Sequence, residues 1–313
     1  VLFLLCAVDQ VARADPFLVR DQNPLIRGVY LPVGRPATTP DRASRQDLTL
    51  TFSNTTNIDR DREEELLVDG ETTELRWTAV WPLAERWQVR ASIPLVHYEG
   101  GHLDSMIDDW HRLLGLPRGD RPTRPENSLD FYYGRAGSSV DVTEGHTGVG
   151  DAAIEFAYTM LATNQSTINL WMGMELPIGQ RSSLTGNGSL DAAIWLNGAR
   201  RLAERWQLDA SLGIVRPGSV EPLPLAAPGA IPFGSVALSW EGGPVFGLTV
   251  QLDAHGSCVQ DTDLDFLGSA ALLTVGGHFL FGSGWRFELA MTEDLRAGAS
   301  PDIAFYLALR RRR

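Results

Sequence analysis

The chain has 313 residues, 43% apolar and 21% charged, with a formal charge of −12 and 27 basic residues that are all arginine. The acidic excess disfavours nucleic acid as a partner, and the apolar share excludes a disordered acidic tail. No apolar run reaches the ~18 residues of a membrane-spanning helix, so a mean hydropathy of −0.10 describes, by itself, a soluble acidic protein.

The N-terminus points elsewhere. Residues 1–8 form a short apolar run, and Ala12-Arg13-Ala14 is a small-x-small cleavage pattern. Residues 1–14 therefore read as a secretory signal peptide that begins within its apolar region, because no basic residue precedes that region. Cys6 follows leucine rather than a small residue, which argues against a lipid anchor. With the signal removed, Cys258 is the one remaining cysteine, so no disulfide is expected. Residues 15–46 show no strand alternation and read as either a lumen plug or a periplasmic tether.

From residue 47 to 313 the dominant period is two. Apolar and polar residues alternate over 48–53, 74–81, 87–95, 154–160, 168–176, 190–197, 207–214, 235–240, 246–253, 271–279, 285–291 and 303–309. Many of these runs, with their margins, reach the ~9–11 residues that cross a bilayer obliquely, whereas soluble strands average about 5–6. The twelve runs predict an all-β fold, a transmembrane antiparallel up-and-down β-barrel. Every second connection is short, at 82–86, 162–166, 201–205, 241–244 and 282–284. The others, at 59–70, 97–149, 178–188, 216–230, 255–266 and 295–301, are longer. Short periplasmic turns alternating with long external loops are the habit of outer-membrane barrels. Trp81, Trp87, Trp206, Trp240, Phe246 and Trp285 flank the short turns, where an interfacial girdle belongs.

The insertion 97–149 carries a helical pattern. Leu103, Met106, Ile107, Trp110 and Leu114 share one face, with His111 beside it, and Gly115 and Pro117 stop the run. This helix is expected to act as a plug or lid, or to cap the barrel rim. The inward positions hold Glu74, Glu155, Glu175, Asp191, Asp209, Asp253 and Glu288 against Arg76, Arg90 and Arg286. They describe either a cation-tolerant lumen or a salt-bridged filling. An acidic run at Asp59, Asp61, Glu63, Glu64, Glu65, Asp69 and Glu71 reads as a solvated external loop, since it lacks the spacing of a calcium loop.

Three boxes carry a resemblance. Arg20-Asp21-Gln22-Asn23-Pro24 with Tyr30-Leu31-Pro32, then 103–111 with Gly115-Leu116-Pro117 and Arg121, then Gly148-Val149-Gly150-Asp151, resemble the proteobacterial outer-membrane family catalogued as domain of unknown function 3187. The resemblance covers essentially the whole mature chain and implies barrel and outer membrane only, because the family has no established activity. One departure is the arginine-rich end after Leu309, where outer-membrane barrels usually place an aromatic residue. It reads either as a harmless extension beyond the assembly signal, with Phe305 the nearest outward-facing aromatic, or as a sign of poor assembly.

No Gly-x-Ser-x-Gly element, metal-ligand spacing or phosphate-cradling glycine loop occurs, so neither an enzyme nor a cofactor is expected. The leading reading is passive entry of a small solute, hydrophobic solutes included. The alternatives are a surface-interaction barrel with a closed lumen and, more remotely, a lipid-modifying barrel enzyme. The expected partners are outer-membrane lipids, lipopolysaccharide and the barrel-assembly machinery, with the protein a monomer in the outer membrane of a Gram-negative bacterium.

Overall fold

The computed structural model describes residues 15–32, 44–101, 103–105, 109, 112, 124–282, 284–296 and 298–312. The expected signal segment 1–14 lies outside them. In chain order the strands are β1 (Arg45–Arg60), β2 (Glu64–Ala84), β3 (Trp87–Glu99), β4 (Asp130–Arg135), β5 (Ser138–Val142), β6 (His146–Val149), β7 (Ala152–Ala162), β8 (Ser166–Leu176), β9 (Asp191–Ala203), β10 (Trp206–Arg216), β11 (Ile231–Glu241), β12 (Phe246–His255), β13 (Ala270–Phe281), β14 (Trp285–Asp294) and β15 (Ile303–Arg312).

Twelve of them form a closed antiparallel up-and-down barrel. β3 pairs with β6 near one end and with β7 near the other, so β6 and β7 act as one interrupted strand. The barrel closes where β1 meets β15, from Arg45 opposite Arg312 to Asn54 opposite Ile303. A strand of ten residues rising about 3.3 Å each, at the usual ~40° tilt, spans about 25 Å.

The alternation produces an inside-out molecule. Outward positions such as Trp77, Ile194, Leu238 and Leu289 are exposed, with Val250 49% accessible. Inward positions such as Asn169, Thr249, Thr274 and Glu288 are buried, and Gln251, next to Val250, is 0% accessible. Along the strands the interior is largely polar and the skin apolar.

Short turns gather at one end of the barrel and longer connections at the other, as predicted, except between β1 and β2. There the acidic run is not a loop over 59–70. The two strands continue pairing up to Arg60 opposite Glu65, and the turn is confined to 61–63. Asp61 closes it, because its Oδ1 accepts the backbone N–H groups of Glu63 (2.7 Å) and Glu64 (2.8 Å). Those two bonds hold the exposed Asp61 carboxyl below the ordinary aspartate range. The extension is stable because β4 pairs along its other edge, from Glu64 opposite Arg135 to Asp69 opposite Asp130. Glu64, Leu66 and Val68 then face inward, and Tyr133 on β4 donates to Glu64 (2.5 Å). Burial, followed by that bond, pushes the Tyr133 phenol up.

The loop end is capped. The connections after β8, β10 and β12 fold inward and bury Leu184, Val220, Leu223, Phe266 and Leu267 with Tyr98, Phe131 and Tyr133. Within the predicted helix, Leu103 is not helical, whereas Asp104, Ser105, Asp109 and Arg112 are; Met106, Ile107, Trp110 and His111 lie outside the described residues. The segment is moored at its start, where Leu103 N donates to Glu71 (2.6 Å) and Asp104 accepts from Asn54 (2.9 Å) and Asn127 N (2.8 Å).

The arginine-rich end is no appendage, contrary to the expectation. β15 continues through it, because alternation places Tyr306, Ala308 and Arg310 inward opposite the outward Leu307 and Leu309. Arg310 lies opposite Asp47 across the seam and bonds Glu288 (3.0 Å), while Arg311 lies over the Trp285 ring at 5.0 Å. Removing one partner of a buried ion pair strands the other, so Arg310→Met should cost about 3–5 kcal/mol. Urea unfolding of the refolded barrel would measure it; an unchanged midpoint would show the cluster idle.

Candidate functional site

Residues 15–32 are buried almost throughout, although they belong to no strand. Their partners lie on β2, β7, β8, β9, β12, β14 and β15, so the segment runs inside the barrel. It climbs from the turn end. Asp15 lies 3.6 Å from Arg310 and 4.0 Å from Arg286. Phe17 exchanges two backbone bonds with the Gln251 amide (2.8 and 3.2 Å) and packs edge-on against Tyr306. Near the loop end, Asp21 accepts from His255 Nε2 (3.0 Å) and Ser300 Oγ (2.6 Å).

The Gln22-Asn23-Pro24 box is the apex. Asp21 caps Asn23 N (2.8 Å) and Asn23 caps Leu25 N (3.0 Å), two successive side-chain turns suited to reversing the chain. The Asn23 amide also donates to Phe266 O (2.6 Å), tying the apex to the cap. Internal braces join the two legs. Gln22 accepts from Arg27 (2.9 Å), and Arg20 donates to the carbonyls of Arg27 and Val29 (3.1 Å each). On the return leg Arg27 donates to Glu74, Tyr30 N to Asp191 (3.0 Å) and Tyr30 OH to Glu155 (2.6 Å).

All four charges of residues 15–32 thus face an opposite charge on the wall. Asp15 meets Arg310 and Arg286, Arg20 meets Glu175 at 3.9 Å, Asp21 meets His255, and Arg27 meets Glu74. Both His255 ring nitrogens lie within hydrogen-bonding distance of acceptors, Nε2 of Asp21 and Nδ1 of Gly256 O (2.8 Å), an arrangement suited to an imidazolium. Cys258 Sγ lies 3.8 Å from Nδ1. With both nitrogens engaged and the thiol fully buried, the trio ties Asp21 of the segment to the end of β12.

The ten wall residues singled out by alternation all face inward. Arg76 bonds Glu74 (2.7 Å), Arg90 pairs with Glu155, and Arg286 bonds Glu288 (2.7 Å). Asp209 and Asp253 accept from Gln207 and Gln251 (2.8 Å each), and Asp191 accepts from Gly218 N, Ser189 and Asn187. Arg90 also stacks 4.7 Å above Trp171, which is parallel to Trp195. Arg20, Arg27, Arg310 and His255 share the lumen with the ten wall residues, and so do the acids Asp15, Asp21 and Asp47, so the acidic surplus remains. Of these, Arg310 was readable by extending the β15 alternation; nothing in the sequence paired Asp21 with His255. Two small voids remain beside the segment. One, of about 30 Å³, lies among Arg20, Leu31, Phe233, Asp253 and His255; the other, of about 20 Å³, among Arg20, Tyr30, Arg76, Arg90 and Glu175. Each has room for about one or two waters.

Over residues 1–312 the sequence matches the model of the family described as Protein of unknown function (DUF3187). The chain belongs to that family. No curated protein matches it. Among solved structures it is similar to the COG4313 outer membrane channel from Pseudomonas putida F1, at 12% identity and TM-score 0.57, covering 91% of this chain and 98% of that one. A weaker likeness, at 10% identity and TM-score 0.44, covers 87% of this chain and 91% of the P. putida toluene transporter TodX. At such identities the first likeness is one of fold.

The boxes of this DUF3187 chain have structural roles. Asp151, ending Gly148-Val149-Gly150-Asp151, accepts from Gly179 N (2.7 Å) and Asn187 N (3.2 Å) and so draws the β8–β9 loop over the mouth. A Cβ at Gly150 would lie 2.8 Å from Pro94 and 3.2 Å from Thr185 O. Gly28 abuts the same loop, and a Cβ there would fall 2.7 Å from Asn187 N, a backbone atom that cannot step aside cheaply. Gly28→Ala should therefore lift the apex. Asn23→Ala should leave Phe266 O unanswered at about 1–3 kcal/mol. Either change should speed amide exchange in 15–32 by on the order of tenfold or more with the barrel strands unaffected; unchanged exchange would refute the anchoring described.

Proposed function

We propose that the protein is an outer-membrane channel whose lumen is held shut by its own residues 15–32, which move aside to admit a small solute. The observation that carries this reading is how the segment is held. All four of its charges are ion-paired to the wall, interactions that water can replace, while its apolar residues pack in two clusters, Leu25 to Leu31 with the cap and Phe17 to Val19 against Tyr306 and Ala308. The charged lining favours a polar solute over a hydrophobic one. The apolar skin, the aromatic residues at the turn end and the export-type N-terminus support insertion in the outer membrane of a Gram-negative bacterium, with the turns periplasmic. Phospholipid and lipopolysaccharide would surround the skin, and the assembly machinery would insert it. The twelve-stranded wall closes on itself, which supports a monomer by leaving β5 and β6 at the loop end as the strands with an unpaired edge among the described residues. No catalytic role is proposed.

The apolar cap of Leu184, Val220, Phe266 and Leu267 favours a second reading, a permanently closed surface barrel. Planar-bilayer recording on the full-length protein separates the two. Brief rare openings are expected from the native chain, and much longer ones from Asp21→Asn, which weakens the tie to His255. Silence from both would overturn the channel reading. Membrane insertion has its own check. Val250→Arg, at mid-strand on the skin, should cost about 2–4 kcal/mol on folding into vesicles, whereas a water-facing skin would tolerate it.

A further inference from the structure

The wall facing the return leg carries more acid than base. Glu74, Glu155, Glu175 and Asp191 project from β2, β7, β8 and β9, and the guanidinium groups among them from the wall are those of Arg76 and Arg90. Two of the four carboxylates are thus matched by the wall itself. The balance is restored by the segment, because Arg27 donates to Glu74 and Arg20 approaches Glu175 at 3.9 Å. These four side chains are at most 7% accessible. Arg27 thus adds a second guanidinium at Glu74 beside Arg76, and Arg20 brings one to Glu175, which has no ion pair from the wall among the described residues.

Resting on the channel reading above, we propose that Glu74 and Glu175 form a subsite for a cationic solute, an amine or guanidinium compound, with Arg27 and Arg20 as its tethered occupants in the closed state. Withdrawal of the segment leaves four wall carboxylates against the guanidiniums of Arg76 and Arg90, a surplus of negative charge in a narrow lumen, and an uncompensated buried charge is costly until a cation replaces the lost one. An anion would meet repulsion at the same level. Arg20 is the weaker tenant. It bonds two carbonyls of its own segment, its Nε finds no acceptor among the described residues, and it borders both residual voids. A competing cation therefore has a foothold beside Glu175 before Arg27 need leave Glu74. Apart from Arg20, the climbing leg contributes acids, Asp15 and Asp21, and the wall answers them with Arg286, Arg310 and His255.

The test uses the full chain in planar bilayers under a potassium chloride gradient. Asp21→Asn, which leaves the carboxylate pair intact, and the double variant Arg20→Gln/Arg27→Gln should both open with potassium preferred over chloride by on the order of fivefold. Millimolar methylguanidinium should block that current saturably, and acetate should not. Adding Glu74→Gln and Glu175→Gln should abolish both preference and block. Open channels without cation preference, or with preference surviving those two substitutions, would overturn the subsite and leave the channel intact. Silence from every variant would overturn the channel reading itself. Should the double variant fail to fold, the native chain still decides. At constant ionic strength methylguanidinium should accelerate amide exchange in 15–32 beyond the effect of tetramethylammonium, and equal rates would sink the proposal.

Discussion

Charge matching across the lumen is the constraint on which the rest of this structure depends. An apolar skin forces the polar half of every strand inward, and residues 15–32 with the cap keep those groups out of bulk water. Each inward carboxylate must then find a base or a donor. The wall meets part of that demand along its strands, as with Arg76 and Glu74 or Arg286 and Glu288. The N-terminal segment meets another part, and its charges are spaced so that each leg answers the wall it faces.

Such a filling differs from a hydrophobic core in how it yields. Apolar side chains pulled apart into water recover nothing from it, whereas a buried carboxylate can exchange one cation for another at small net cost. What is expensive is the half-broken state, in which one partner has gone and nothing has replaced it. The Arg20 and Gln22 braces make the two legs one body and so discourage partial withdrawal. The mouth is governed by different physics, since the cap packs Leu184 and Phe266 in ordinary apolar fashion with Leu25, Ile26 and Val29 of the segment and is tied to it further through the Asn23 amide.

The barrel itself was legible. Over 246–253 the register Phe-Gly-Leu-Thr-Val-Gln-Leu-Asp is an unbroken statement of which side faces out, and the parity of short turns supplied the closure. The errors came where local composition outweighed alternation. The run Asp59 to Glu71 is acidic enough to read as a loop, yet Leu66 and Val68 keep the period of two, and β4 supplies the partner that makes the extension worthwhile. Arg310 was hidden in the same way by its arginine neighbours. The segment 15–32 was ambiguous for a deeper reason. It has no period because it is held by single long-range bonds, Phe17 to Gln251 or Asn23 to Phe266, which link positions more than 200 apart and leave no local pattern.

The seam between β1 and β15 has a consequence for fidelity. Closing a barrel is a choice among registers, and a slip of one residue sends every side chain to the opposite face. Here Asp47 stands opposite Arg310, with Glu288 and Asp15 within reach of the same guanidinium. Slipped by one, the strand would drive that guanidinium into lipid and abandon three acids inside. The last strand therefore carries its own proofreading, and the first described residue of the chain, Asp15, takes part in checking that the end has closed correctly.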